Sequence, residues 1–318
     1  MRRGLATGRE AATHPAGLVR LCEDYYDWCL RLARSWEEAG LGRQRRPFLE
    51  LFEGGASEAL QAHERNVFVQ RHLSVLRHLK RLPGQPRVLD CACGTGYQSL
   101  LFGLAGAKVC AVEVYDKSVD VARRLSEALA AECGPLPVEI VHRDLFAFLT
   151  EQQGELAGFF DLIWVCEAIS HIHPLEEFLP LVRAFLAPGG WLVVCESNTM
   201  NPLVRRKIDQ EREASYRKRQ VSAADFREGD YWLFPATYRD PVTGRQVQQT
   251  NERMLTPRRL RSMLTASGYR QFQVHYRTFI PPQLSVLLGQ RLVRPLEALL
   301  CGLPLVRGLG IRYIGFAR

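Results

Sequence analysis

Short runs of β-branched and aliphatic residues alternate along the middle of the chain with stretches of helical periodicity. The runs predict strands over Arg87–Asp90, Lys108–Val114, Val138–Asp144, Phe160–Cys166 and Gly190–Glu196. Between them, apolar residues recurring every three or four positions predict helices over Tyr97–Ala105, Asp116–Ala131, Leu145–Gln152 and Leu175–Leu186. The last is expected to stop at a turn, Pro188-Gly189-Gly190. Strand–helix alternation at this spacing implies βαβ units and a parallel sheet covered on both faces.

After Glu196 the rhythm breaks for roughly fifty residues, with Asn201-Pro202 reading as a turn. A helix then starts at Thr256-Pro257, an N-cap followed by proline in the first turn, and stops at Gly268. Tyr269–Phe279 and Gly310–Phe316 read as strands, and the Leu-rich piece between them reads as an inserted amphipathic helical segment. Ahead of the alternating core lie a flexible lead to about Pro15 and helices over Leu18–Glu38 and Glu58–Leu82. The expected organisation is an amino-terminal helical extension (1–86), an α/β core (87–197), an inserted cap (198–255) and a carboxyl-terminal part of the core (256–318) interrupted by an apolar insertion at 280–309.

Composition bounds the class. At 318 residues and 47% hydrophobic the chain can bury an ordinary core, and no apolar stretch approaches the roughly 20 residues needed to span a bilayer. Met1-Arg2-Arg3-Gly4-Leu5-Ala6 has no apolar run behind its basic residues and so does not read as a secretory signal. Nine cysteines without a CxxC pair, several of them inside strand-like runs, read as reduced thiols of a cytoplasmic protein, with no disulfide framework and no zinc site. The net charge of +8 suggests nucleic acid, a membrane surface or an anionic substrate. Its distribution changes that picture. Residues 88–197 carry 6 basic and 15 acidic side chains, whereas 1–87 carry 15 and 10 and 201–318 carry 21 and 9. An acidic core with basic flanks does not fit a protein that coats nucleic acid.

The strongest local motif is Val88-Leu89-Asp90-Cys91-Ala92-Cys93-Gly94-Thr95-Gly96-Tyr97, a buried strand running into a Gly-x-Gly turn and then a helix. Glycines there let the backbone pass close to a ligand. Glu113 ends the next strand, 17 residues after Gly96, where a carboxylate can accept both ribose hydroxyls of an adenosine. Asp144, before Leu145, ends the third strand and can accept from an adenine amine. Each acid alone is equally a solvated strand end; three features in register are harder to dismiss. A dinucleotide fingerprint wants Gly or Ala where this chain has Ser99, and Asp90 beside the turn would repel a pyrophosphate. The acid suits a cation. S-adenosylmethionine, with its sulfonium and α-ammonium, is the adenosine cofactor that fits.

Taken together, Asp90-Cys91-Ala92-Cys93-Gly94-Thr95-Gly96, Glu113, Asp144, Phe160-Asp161-Leu162-Ile163 and Leu186-Ala187-Pro188-Gly189-Gly190-Trp191-Leu192 resemble the successive motifs of the class I S-adenosylmethionine-dependent methyltransferases, small-molecule type. The resemblance is close over about 87–197 and looser to the end. It implies a Rossmann-like α/β sheet of order 3-2-1-4-5-7-6 with β7 antiparallel, and a cofactor across the carboxyl ends of the strands. It further implies that Asp90, Cys91, Gly94, Gly96, Glu113, Asp144, Leu145 and Glu167 hold the cofactor, Glu167 at its methionine end. Ala92 departs from the pattern, which more often has glycine between the two residues flanking it.

Acceptor residues are read from the segment after the fourth strand, Cys166-Glu167-Ala168-Ile169-Ser170-His171-Ile172-His173-Pro174. His171 resembles the histidine that many small-molecule members carry there and is the candidate base or acceptor-positioning group; the competing reading has it packing the following helix. Tyr25 and Tyr26 either fold over the cofactor or pack an amino-terminal core. The run 204–219, with seven basic and three acidic residues, is either a solvated helix or, through Arg205, a grip on an anionic acceptor. The Asn/Asp-Pro-Pro-aromatic tetrad of nucleic-acid amine methyltransferases is absent. The expectation is therefore transfer to a small-molecule or lipid-like acceptor. An RNA or tRNA methyltransferase is the rival, and a cofactor-binding regulator without turnover is a third reading. Arginines among the leucines of 284–307 leave peripheral membrane contact open beside plain packing onto the core.

Overall fold

The sequence's strand-like runs form strands because they are buried: Val88 and Leu89, Val109 and Val112, and Leu162 to Val165 are all almost fully enclosed. In the computed structural model, which describes residues 15–39, 41, 48, 57–228, 231–234, 238–247, 249–250 and 254–318, the elements follow in this order. Helices α1 (Pro15–Glu38) and α2 (Glu58–Leu79) precede β1 (Arg87–Cys91), α3 (Tyr97–Leu104), β2 (Lys108–Glu113), α4 (Asp116–Cys133) and β3 (Val138–His142). Next come α5 (Leu145–Leu156), β4 (Phe160–Cys166), α6 (Leu175–Arg183), β5 (Leu186–Ser197) and α7 (Pro202–Lys218). The chain closes with α8 (Pro257–Ala266), β6 (Phe272–Arg277), α9 (Pro282–Leu288), α10 (Gln290–Gly302) and β7 (Arg312–Ala317). Two short hairpins, Arg227–Glu228 with Tyr231–Trp232 and Tyr238–Arg239 with Gln246–Val247, lie between α7 and α8. The expected lead before Pro15 falls outside the described residues.

The sheet has seven strands in the order β3-β2-β1-β4-β5-β7-β6, the order the motifs imply. Pairs β1–β2, β2–β3 and β4–β5 are parallel, while β7 runs antiparallel to both β5 and β6. The segment between β6 and β7 forms the two helices α9 and α10. By contacts the chain divides into two compact units, Met1–His142 with Ile280–Leu299 and Arg143–Phe279 with Leu300–Arg318.

In the first unit α1 is anchored by aromatic residues at helical spacing. Tyr25 stacks on Trp28 with ring centroids 5.7 Å apart, and Tyr26 packs on Phe68 of α2. Trp28 donates its indole N–H to Glu132 of α4 at 2.8 Å. Arg65 of α2 pairs with Asp27 of α1.

Three expectations are corrected in the second unit. Helix α6 stops at Arg183, not at Leu186, and Pro188-Gly189-Gly190 lies inside β5 instead of forming a turn after a helix. Leu186 already pairs with Phe160, and the register shifts before Leu162–Trp191. Gly190 is needed there because a Cβ would meet the Phe160 carbonyl oxygen at 2.9 Å. Asn201-Pro202 is likewise no turn: Asn201 caps α7, its side chain accepting from Leu203 N–H at 2.9 Å, with Pro202 in the first turn. That helix fills a segment in which the regular alternation had ended, because its polar, strongly charged sequence shows almost no apolar period. Only Ile208 and Tyr216 of it are buried.

Candidate active site

Within the first unit the site is built where β1 ends. Asp90 is 1% exposed, and Oδ2 of its carboxylate accepts from Ser99 Oγ at 2.6 Å. Burial pushes the Asp90 carboxyl up to about 7; the Ser99 bond opposes this and the nearby Glu113 charge adds to it. The native state therefore holds a proton there that the unfolded chain, with an ordinary carboxyl near 3.8, has already released. Between those two values stability should fall as pH rises. Urea midpoints at pH 4.5 and 7.5 would show it: wild type is expected to lose more than Asp90→Asn across that interval, and equal losses would refute the assignment.

The loop after Asp90 turns through three left-handed residues, Ala92 (φ 56°), Gly94 (φ 57°) and Gly96 (φ 72°). Ala92 thus takes the conformation that a glycine adopts freely. Gly96 has a second reason to be glycine, since a Cβ would lie 2.9 Å from the Ala122 Cβ of α4. Beside Gly94 there is open space where a side chain would go. Its N–H donates to Oε2 of Glu113 at 2.8 Å, while Oε1 accepts from Val114 and Tyr115 N–H at 2.8 and 2.9 Å. Burial raises the Glu113 carboxyl and these three bonds work against it. Asp90, Gly94, Gly96 and Glu113 are thereby brought together as an acidic, glycine-lined turn. Cys91 contributes a buried thiol, and burial pushes it well above the usual thiol range. Tyr25 is buried, and its hydroxyl donates to the Tyr97 carbonyl at 2.7 Å, tying α1 to the start of α3. Tyr26 is buried against α2.

In the second unit Asp144 is the N-cap of α5, accepting from Ala147 N–H at 2.9 Å, and Leu145 behind it is buried. The Asp144 N–H itself donates to Asp240 at 2.6 Å. Asp240 also receives Arg143 Nε at 3.1 Å, Val242 N–H at 3.1 Å and both Thr243 donors, the N–H at 2.7 Å and the hydroxyl at 2.9 Å. Burial alone would raise this carboxyl; the bonds from Asp144, Thr243 and Arg143 outweigh it and hold it well below the usual carboxylate range. Glu167, left-handed at φ 51° at the end of β4, pairs with Arg312 of β7. Ring atom Nδ1 of His171 lies 3.0 Å from the Thr250 carbonyl oxygen, and Thr250 N–H donates back to the His171 carbonyl. Arg205 is exposed on α7. Several other basic residues of this insertion are engaged: Arg212 pairs with Asp209 and lies over Trp232, and Arg219 lies over Phe234.

Asp240, Thr250 and Arg312 were not foreseen. For Asp240 a local signal existed: Asp240-Pro241-Val242-Thr243-Gly244 is a turn composition whose first side chain can cap the following N–H groups. Thr250 and Arg312 carry no signal of their own, because only the fold sets them beside His171 and Glu167.

S-adenosylmethionine fits this donor set. Glu113 offers carboxylate oxygens beside a glycine that leaves open space, and Asp90 offers a buried acid whose ionised form a cationic ligand would favour. Residues 62–273 match the model of the methyltransferase domain family. A curated relative, the ubiquinone biosynthesis O-methyltransferase of Bordetella avium, is 31% identical over 108 residues, 33% of this chain and 40% of that protein. The demethylmenaquinone methyltransferase of Clavibacter sepedonicus is 32% identical over 124 residues, 39% of this chain and 46% of that protein. The chain thus spans less than half the length of these relatives. A solved S-adenosylmethionine-dependent methyltransferase from Archaeoglobus fulgidus aligns over 80% of this chain and 97% of its own, at 16% identity and a TM-score of 0.47. The chain belongs to the methyltransferase domain family, with the sheet order of the class I S-adenosylmethionine-dependent methyltransferases. S-adenosylmethionine is the cofactor of that class.

Proposed function

We propose that the protein transfers a methyl group from S-adenosylmethionine to a hydroxyl of a small-molecule or lipid-like acceptor, in the cytoplasm. The observation that carries the reading is the orientation of His171. A carbonyl oxygen only accepts, so the ring nitrogen facing Thr250 is the donor, and whenever the ring is uncharged its lone pair lies on Nε2. Histidine in that tautomer, just past β4, is suited to take a proton from a hydroxyl as the nucleophile forms. When bound, the cofactor supplies a methyl on a sulfonium, open to in-line displacement. Asp90 and Glu113 hold and orient it, with Gly94 and Gly96 giving the close backbone approach and Cys91 beside them; Asp144, Leu145 and Glu167 are the further cofactor residues of this reading. Tyr25 supports the start of α3 from α1, with Tyr26 packed beside it on Phe68, and Arg205 is the basic group for an anionic acceptor. The named activities of the two relatives, O-methylation in ubiquinone biosynthesis and methylation of demethylmenaquinone, support a small-molecule acceptor, the first of them an oxygen.

The test uses full-length protein, methyl-labelled cofactor and a nucleic-acid-free small-molecule extract, with labelled products identified by mass. Label is expected in a small hydroxylated compound. With that acceptor, His171→Ala should lower kcat by about 10²–10⁴-fold and leave cofactor affinity within about twofold. Label appearing only in added RNA, or an unchanged kcat in the variant, would overturn the reading.

A further inference from the structure

We propose that α9 and α10 form a docking face for an anionic lipid surface. Among the described residues of the first unit, every exposed large hydrophobic side chain falls in this one piece: Leu284, Val286, Leu287, Leu292 and Leu299. Leu287 is 82% exposed. Monomeric proteins scatter such residues singly, and a concentration of them marks a contact surface. The inward side of the same piece is well made. Ser285, Val293 and Glu297 are buried, and Glu297 accepts from the Ile280 N–H at 2.8 Å. The leucines are therefore outward because the opposite faces already pack, not because the helices are loose.

Charge decides what the face meets. Between Ile280 and Leu299 the charged residues are Arg291, Arg294 and Glu297. The carboxylate is turned inward, whereas both arginines are exposed, Arg294 sharing its guanidinium with Glu23 of α1 at 2.6 Å. A second copy docked through this face would bring Arg291 against like charge with no outward carboxylate of the piece to answer it, Glu23 being already engaged by Arg294. Lipid answers both features: acyl chains take the leucines, and anionic headgroups take Arg291 and share Arg294 with Glu23. No helix among the described residues is long and apolar enough to cross a membrane, so the face lies on the surface. The inference is independent of the acceptor assigned above.

The experiment is co-sedimentation of full-length protein with vesicles of phosphatidylcholine alone or with about a third phosphatidylglycerol, a lipid of negative surface charge. Sedimentation is expected with the anionic vesicles only, weakening as salt is raised. The pair Leu287→Glu with Leu292→Glu should cut the bound fraction at least tenfold. Both side chains are outward, so the variant should keep its melting temperature and cofactor affinity; Leu287→Ser with Leu292→Ser serves if it does not. No sedimentation with anionic vesicles overturns the proposal. So does binding that is equal in the variants, or a wild-type dimer in light scattering that these substitutions dissolve.

Discussion

Replacing Asp240 with alanine is expected to lower the unfolding free energy by about 3 kcal/mol, the scale for removing one partner of a buried ion pair. Its side chain is wholly buried and receives donors from four residues: Arg143, Asp144, Val242 and Thr243. Removal strands the Asp144 N–H at 2.6 Å and leaves a guanidinium that is only 14% exposed without this carboxylate. Arg143 retains Glu151 at 2.5 Å, which is why the lower end of the range is expected. The pH dependence has a definite sign. Because the folded carboxyl is held below its ordinary value near 3.8, its stabilising share is present above that value and is lost as pH falls below it. Urea unfolding should show a wide gap between wild type and Asp240→Ala at pH 7 that narrows as the pH is lowered through 4. A gap under about 1 kcal/mol at pH 7 would mean that surface-like screening dominates. Since Asp240 also fastens the backbone at Asp144, cofactor affinity should fall in the same variant.

The second large effect is expected at Glu113. On the proposed reading, Glu113→Ala should weaken S-adenosylmethionine binding at least about 100-fold, equivalent to about 2.7 kcal/mol. Two losses combine. The adenosine loses a charged acceptor for its ribose hydroxyls, and the Gly94, Val114 and Tyr115 N–H groups lose the carboxylate that aligns the turn. Glu113→Gln keeps one oxygen acceptor and should fall between wild type and alanine. Titration calorimetry measures both, and a urea curve on the same samples separates weakened binding from lost fold. An alanine variant that folds and binds within about tenfold of wild type would remove Glu113 from the cofactor site.

Much of this architecture is legible in the chain as written. The strand–helix alternation from Arg87 to Ser197 follows from local hydrophobic period, which is strong in fully buried parallel strands. Thr256-Pro257 announces α8 by its cap, and the Gly94-x-Gly96 turn announces a close backbone approach. Where local signals are weak or compete, the reading slips. Helix α7 is nearly all polar and is legible only as a charge run that reads as a solvated helix, whereas Pro188-Gly189-Gly190 has turn composition yet falls within β5, where the register against β4 shifts.

The chain alone thus determined the strand–helix alternation of the core and its acidic character, while the sheet order followed from the resemblance of its motifs to the class I methyltransferases. Tertiary structure decided the partners. It set Asp240 on the Asp144 backbone, Thr250 on the His171 ring and Arg312 on Glu167, pairs separated by 79 to 145 positions in sequence. It also turned Glu297 inward and left the leucines of α9 and α10 outward. The reason is physical. Hydrophobic period and turn chemistry act over a few residues and are written locally, whereas a buried polar group takes whichever donor the folded chain brings within about 3 Å.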